Sequence, residues 1–190
     1  MVGVVLAGGA GSRMASLGLA KPAAPIAGRP MIEWPLRAVQ AVCEPVAVVC
    51  KASTELPPLP EAVERWEEPD EPRHPLTGIV FALERAGADV LVCAADMPFV
   101  GLEEFEAVKE AARREPDVGA VVAEAGGRLE PALGIYRPSA LGALRAAPED
   151  ARFTVVVEGL EPVRVPVPAG AVRSVNTPDE LAAAEAELAG

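Results

Sequence analysis

Val2-Gly3-Val4-Val5-Leu6-Ala7-Gly8-Gly9-Ala10-Gly11-Ser12-Arg13-Met14 is the stretch whose reading decides the fold. Residues 2–6 form a short apolar run rich in β-branched side chains, which predicts a buried strand. The glycines that follow bring bare backbone N–H groups to the carboxyl edge of a sheet, where open α/β folds bind phosphate-bearing ligands. Gly8, Gly9 and Gly11 permit close approach of a ligand. Arg13, and Lys21 beyond it, can add charge to phosphates. The loop is not a Walker A sequence, because it ends Gly11-Ser12-Arg13 instead of Gly-Lys-Ser/Thr. Nor is it a dinucleotide fingerprint, because Met14 stands where the third glycine belongs. A nucleotide triphosphate cradle is the expectation; a tight strand-to-helix turn without a ligand is the plain alternative.

Outward from that loop, strands and helices alternate. Apolar runs at 45–50 and 90–94 predict buried strands, with shorter ones at 62–66, 118–122 and 131–136. Helices are expected from Pro30 to about Val42, from Thr77 to Ala86, from Leu102 to Glu115 and from Pro138 to Ala147, and a final one from Pro178 to Leu188. Thr177-Pro178-Asp179-Glu180 reads as an N-cap, a proline at the first helical position and an acidic first turn. Residues 22–26 are expected to be extended, with a turn at Gly28-Arg29. Phe153–Val157 and Val163–Val167 read as strands. The pattern predicts an α/β fold: a three-layer α/β/α sandwich around a mainly parallel, Rossmann-like mixed sheet, in one domain over 1–190.

The charge narrows the partners. Across 190 residues the net charge is -11, which disfavours nucleic acid and anionic membranes. A triphosphate would have to be drawn in locally, by a few basic side chains, backbone amides and a divalent cation. Cys43, Cys50 and Cys93 are odd in number, lack C-x-x-C spacing and lie in or beside apolar runs, so buried reduced thiols are expected and the cytoplasm suits them. No signal peptide and no transmembrane stretch are expected.

Asp96 follows the apolar run 90–95 at the carboxyl edge of the sheet. A carboxylate there is placed to hold Mg²⁺, which takes one or two carboxylates and completes its shell with water and substrate phosphates. Capping a turn is the structural alternative. The lone His74 is expected to serve structure, and Trp34 and Trp66 to serve packing.

Six motifs occur in one order: 6–14, Lys21, His-Pro-Leu-Thr-Gly at 74–78, Asp-Met-Pro-Phe-Val at 96–100, Glu-Pro-Ala-Leu-Gly-Ile-Tyr at 130–136 and Val-Asn-Thr-Pro-Asp-Glu-Leu at 175–181. In these the chain resembles the molybdenum cofactor guanylyltransferases, nucleotidyltransferases of the glycosyltransferase-A fold. The resemblance implies transfer of GMP from GTP to molybdopterin with release of pyrophosphate. It implies that Leu6, Ala7, Gly8, Gly9, Gly11 and Ser12 line the nucleotide, with Leu6, Ala7 and Gly8 on its guanine and ribose side. Arg13 and Lys21 would hold the triphosphate, Lys51 would contact the nucleotide, and Asp96 would bind Mg²⁺. Asn176 would face the metal or the acceptor. One acid after the third strand belongs to such a site; Glu67 is the nearest fit, with Glu68 and Asp70 as rivals. A transient hand-off to other cofactor-handling proteins is a further expectation. Ala15, Ala20, His74 and Ser174 depart from the family pattern. CTP, another phosphorylated acceptor, or a nucleotide-binding regulator without turnover are the alternatives.

Overall fold

The computed structural model describes residues 1–8, 20–72 and 74–189. Strand β1 (Val2–Leu6) lies at the centre of its sheet, between β4 (Val46–Cys50) and β6 (Val90–Ala94), parallel to both. Beyond β4 lies parallel β5 (Val63–Glu67). Beyond β6 come antiparallel β8 (Arg128–Tyr136), then β7 (Ala120–Ala125) and β9 (Val163–Pro166). The order is β5-β4-β1-β6-β8-β7-β9, and β8 alone runs against the other strands of this sheet among the described residues.

The central strands are apolar on both faces, and their alternation assigns each residue to one of two cores. Val5, Val48, Cys50, Leu91 and Cys93 meet α1 (Glu33–Gln40) and α3 (Leu102–Arg114) through Leu36, Val39, Phe105 and Val108. Val4, Ala47, Val49, Val90 and Val92 meet α2 (Pro75–Ala86) through Leu76, Ile79 and Leu83. Helices α4 (Leu141–Arg145) and α5 (Phe153–Glu158) add Leu144 and Val157 to this second core. Two cores separated by one sheet make the expected three layers. Gly3 allows α1 to pack closely on β1: a Cβ there would stand 2.4 Å from Val39 Cγ1. The three cysteines are free and buried, as expected.

A third, smaller cluster stands apart. Ala24, Ile26 and Met31 pack with Val175 and with Ala184 of α6 (Pro178–Leu188). Here the sequence expectation needs correction. Residues 25–26 (β2) and 29–30 (β3) form a two-stranded hairpin around Ala27 and Gly28, both at positive φ, as a tight hairpin turn requires. Pro30 is therefore paired with Pro25, and α1 begins only at Glu33.

The larger correction is at 153–157, expected as a strand and found as helix α5. The run is β-branched, yet Phe153, Val156 and Val157 fall at helical spacing and face the second core, while Val155 is 57% exposed. Tertiary packing overrides local strand preference there. Helix α6 has the bounds expected, and Thr177 with Glu180 forms its capping box.

Candidate functional site

Backbone pairing continues one residue past the strands and so fixes the sheet edge. Ala7 N–H donates to Val49 O (2.8 Å), Ala95 N–H to Leu6 O (2.9 Å) and Glu68 N–H to Cys50 O (2.9 Å). Gly8, Lys51, Glu68 and Asp96 thereby share the carboxyl edge of four adjacent parallel strands. A cavity of about 400 Å³ opens there, lined on one side by Leu6, Ala7, Gly8, Lys51 and Glu68. Lys21 and Asp96 line it as well, with Glu130, Pro131 and Ala132 of β8, His74 and Phe153.

Two charged clusters stand in it. The deeper is Lys51 with Glu68, whose side chains are 8% and 5% exposed. The ammonium lies 3.4 Å from Glu68 Oε1 and donates to the Pro69 carbonyl. Glu68 Oε2 is buried without a hydrogen-bond partner among the described residues. Burial pushes the Glu68 carboxyl up from its ordinary value, against the opposing pull of Lys51. Gly8 is needed beside this carboxylate, since a Cβ would stand 2.1 Å from Glu68 Oε1.

The more exposed cluster is Lys21, Asp96 and Asn176. The Lys21 ammonium pairs with Asp96 Oδ2 and donates to Asn176 Oδ1 at 2.8 Å. Lys21 opens a one-turn helix at 21–23 that leads into the β2–β3 hairpin. Asn176 is brought in by Val175, whose N–H donates to Asp96 O (2.9 Å), and by Glu180, whose carboxylate accepts from the N–H groups of Asn176 and Thr177. These bonds hold the Glu180 carboxyl below its ordinary value.

Thus Leu6, Ala7, Gly8, Lys21, Lys51 and Asp96 line the cavity, and Asn176 is bonded to one of its cations. Glu67 is a correction: it lies 3.1 Å from Arg65 Nε and its side chain is 55% exposed. Glu68 takes the inward place, and neither Glu67 nor Asp70 lines the cavity. Alternation from buried Trp66 carries that information, because Glu68 lies two residues on and Glu67 on the opposite face. Gly9, Gly11, Ser12 and Arg13 lie outside the described residues.

Some lining residues were not singled out from the sequence. Glu130 interrupts an apolar strand, a signal open to reading, and burial raises its carboxyl. Phe153 carried no such signal. Trp34 and Trp66 do not line the cavity; Trp34 donates to Ile26 O (3.3 Å) and Trp66 to Glu64 (2.7 Å).

Among the described residues no group of three or more His, Cys, Asp or Glu side chains could hold a metal unaided. The donor set nevertheless fits a hard cation bound jointly with phosphates, because Asp96 and Asn176 already direct two oxygens onto one positive centre, the Lys21 ammonium. No helix among the described residues is long and apolar enough to cross a membrane.

Comparison with known proteins identifies the family and the fold. A molybdenum cofactor guanylyltransferase from Cereibacter sphaeroides is 31% identical over 201 aligned positions, covering 99% of this chain and 97% of its own. A probable molybdenum cofactor guanylyltransferase from Halalkalibacterium halodurans is 30% identical, with 81% and 78% covered. The crystal structure of molybdopterin-guanine dinucleotide biosynthesis protein A from Archaeoglobus fulgidus superposes with a TM-score of 0.74 at 25% identity, over 99% of this chain and 98% of that one. A 2-C-methyl-D-erythritol 4-phosphate cytidylyltransferase from Thermus thermophilus, at 24% identity and a TM-score of 0.69 over 98% of each chain, shares the fold. The model of the MobA-like NTP transferase domain matches residues 3–164, and the chain belongs to that nucleotidyltransferase family.

Proposed function

We propose that this protein transfers GMP from GTP to molybdopterin, with Mg²⁺, releasing pyrophosphate and forming the guanine dinucleotide cofactor. One arrangement carries the reading: a single cavity lined both by a buried Lys–Glu pair and by a Lys–Asp pair to which Asn176 is bonded. The first suits a nucleobase and the second a polyphosphate. The relatives named for guanylyl transfer to the molybdenum cofactor support the choice of substrates.

Guanine offers adjacent N1–H and N2–H₂ donors beside the O6 acceptor, whereas cytosine offers a single amino group on the same edge. Glu68 and Lys51 both line the cavity, where the carboxylate would accept from such donors and the ammonium beside it would donate to O6. Gly8 lets the base approach the carboxylate without a side chain between them.

In the transfer step, an ionised phosphate oxygen of the acceptor attacks the α-phosphorus in line with the departing β-phosphate oxygen. One P–O bond forms, one breaks, and no protein nucleophile is needed. Lys21 supplies positive charge to the phosphates, and Asp96 with Asn176 would hold Mg²⁺. A cation held by these two side chains would supply positive charge to offset that of the leaving pyrophosphate. The chain's own contribution is alignment: the sheet edge fixes Asp96, and the capping box of α6 fixes Asn176.

The test is pyrophosphate release, with the dinucleotide product resolved chromatographically, from purified protein given Mg²⁺, molybdopterin and either GTP or CTP. Release with GTP in clear excess over CTP is expected. Preference for CTP would overturn the base assignment, and GTP binding without release would make the protein a regulator.

A further inference from the structure

His74 lines the same cavity as the two lysines. This side chain caps α2: Nδ1 accepts the Leu76 N–H at 3.1 Å. An accepting Nδ1 carries no proton, so the proton is on Nε2, which lies 2.9 Å from Ala151 O and donates to it. One imidazole therefore ties the start of α2 to the segment entering α5. Two residues on, the Phe153 ring meets the His74 ring edge-on, with centroids 6.3 Å apart and planes at 81°.

Phe153 is half-buried and lines the cavity together with His74. Its helix is anchored from below by fully buried Val157 and lies against β8, which contributes Pro131 and Ala132 to the cavity lining. Pro75 lines the cavity beside His74. Among the described residues, Phe153 and His74 supply the aromatic rings of the cavity lining. Phe153 packs against the second core together with Val156 and Val157, and it lines the cavity as well, which the two valines do not.

We infer that Phe153 is a specificity-determining surface for a planar heteroaromatic ring, held in place by His74 acting through Ala151 as a positioning residue. This rests on the guanylyl-transfer reading insofar as both substrates carry such a ring: the nucleobase of the nucleotide and the pterin of the acceptor. The shared chemistry is stacking of a flat heterocyclic π-face on an aromatic side chain.

The test begins with pyrophosphate release by the unaltered protein, whose absence overturns the transfer reading alone. Phe153→Leu keeps apolar bulk and removes the aromatic face. It is expected to raise KM for GTP or for molybdopterin about tenfold, with the effect on KM rather than kcat. Phe153→Tyr is expected to restore the KM.

His74→Asn separates capping from positioning. Its side-chain oxygen can still cap α2, but the short amide cannot also reach Ala151 O. It is expected to keep the melting temperature and to raise the same KM as Phe153→Leu. A His74→Asn protein with unaltered KM overturns the positioning role. A Phe153→Leu protein with both KM values unaltered overturns stacking.

An independent arm uses Phe153→Trp fluorescence, corrected for Trp34 and Trp66, titrated separately with GTP and with molybdopterin. Quenching by GTP assigns Phe153 to the base, and quenching only by molybdopterin assigns it to the pterin. Quenching by neither overturns the inference, whether or not the protein transfers GMP.

Discussion

The two lysine–acid pairs of the cavity are built differently. Lys51 and Glu68 are almost wholly buried and come from loops immediately after adjacent parallel strands. Lys21 and Asp96 are 15% and 24% exposed, and Lys21 comes from outside the main sheet. A buried charge pair costs solvation energy and is weak evidence of stabilisation. Its unpartnered oxygen is better understood as recognition capacity held ready by the fold. The partly exposed pair costs less to separate. Under the proposed function, one pair would read the ligand and the other would exchange charge with it.

Removing one member from each pair should break this contrast most visibly. Asp96→Ala is expected to lower turnover by at least about 10³-fold while the melting temperature stays near that of the parent, read by pyrophosphate release and thermal denaturation. A rate near the parent's would remove Asp96 from the metal site. Glu68→Ala should do the reverse and strike the fold. It leaves the Lys51 ammonium buried with only the Pro69 carbonyl beside it, and about 3–5 kcal/mol of unfolding free energy should be lost in urea titrations.

Gly8→Ala tests the same pair more gently. The added Cβ must displace Glu68, so the GTP dissociation constant should rise about tenfold by calorimetry, with CTP binding affected less. Thr177→Ala sharpens the other pair: loss of the α6 cap should cost about 1 kcal/mol and loosen Asn176 without touching the base.

The pH dependence of stability tests the buried pair. Burial raises the Glu68 carboxyl in the folded protein, so the folded state keeps that proton to higher pH than the unfolded chain. Its contribution is complete below the ordinary glutamate value and is lost as pH rises through the raised one. Glu68→Gln should therefore gain stability relative to the parent as pH increases across that window, in paired denaturation curves. A constant difference would mean that Glu68 titrates as an exposed residue.

How much of this was legible in the sequence depended on whether the signal was local. β1, β4 and β6 were readable because strands buried on both faces leave continuous apolar runs. Helix α6 was readable because its cap is written in four consecutive residues. Asp96 was readable because a charge ending an apolar strand falls at the sheet edge. The choice of Glu67 over Glu68 failed because a run of acids carries no phase; the phase belongs to Trp66 and is set by burial. Phe153 failed for a different reason: its Val-rich run favours a strand in isolation, and only packing against the second core makes it helical.

The small cluster of Ala24, Ile26, Met31, Val175 and Ala184 carries a dynamic consequence. It holds together the hairpin reached from Lys21 and the helix that begins just after Asn176, so these two bonded side chains are mounted on a core much smaller than the two flanking the sheet. Such a unit can open by itself, at a free energy well below that of global unfolding. Backbone amides at 24–31 and 175–188 should then exchange with deuterium together and ahead of those in β1, β4 and β6. In that transiently opened state the protein would retain its base-reading floor while losing its grip on the phosphates, a built-in route for letting pyrophosphate go.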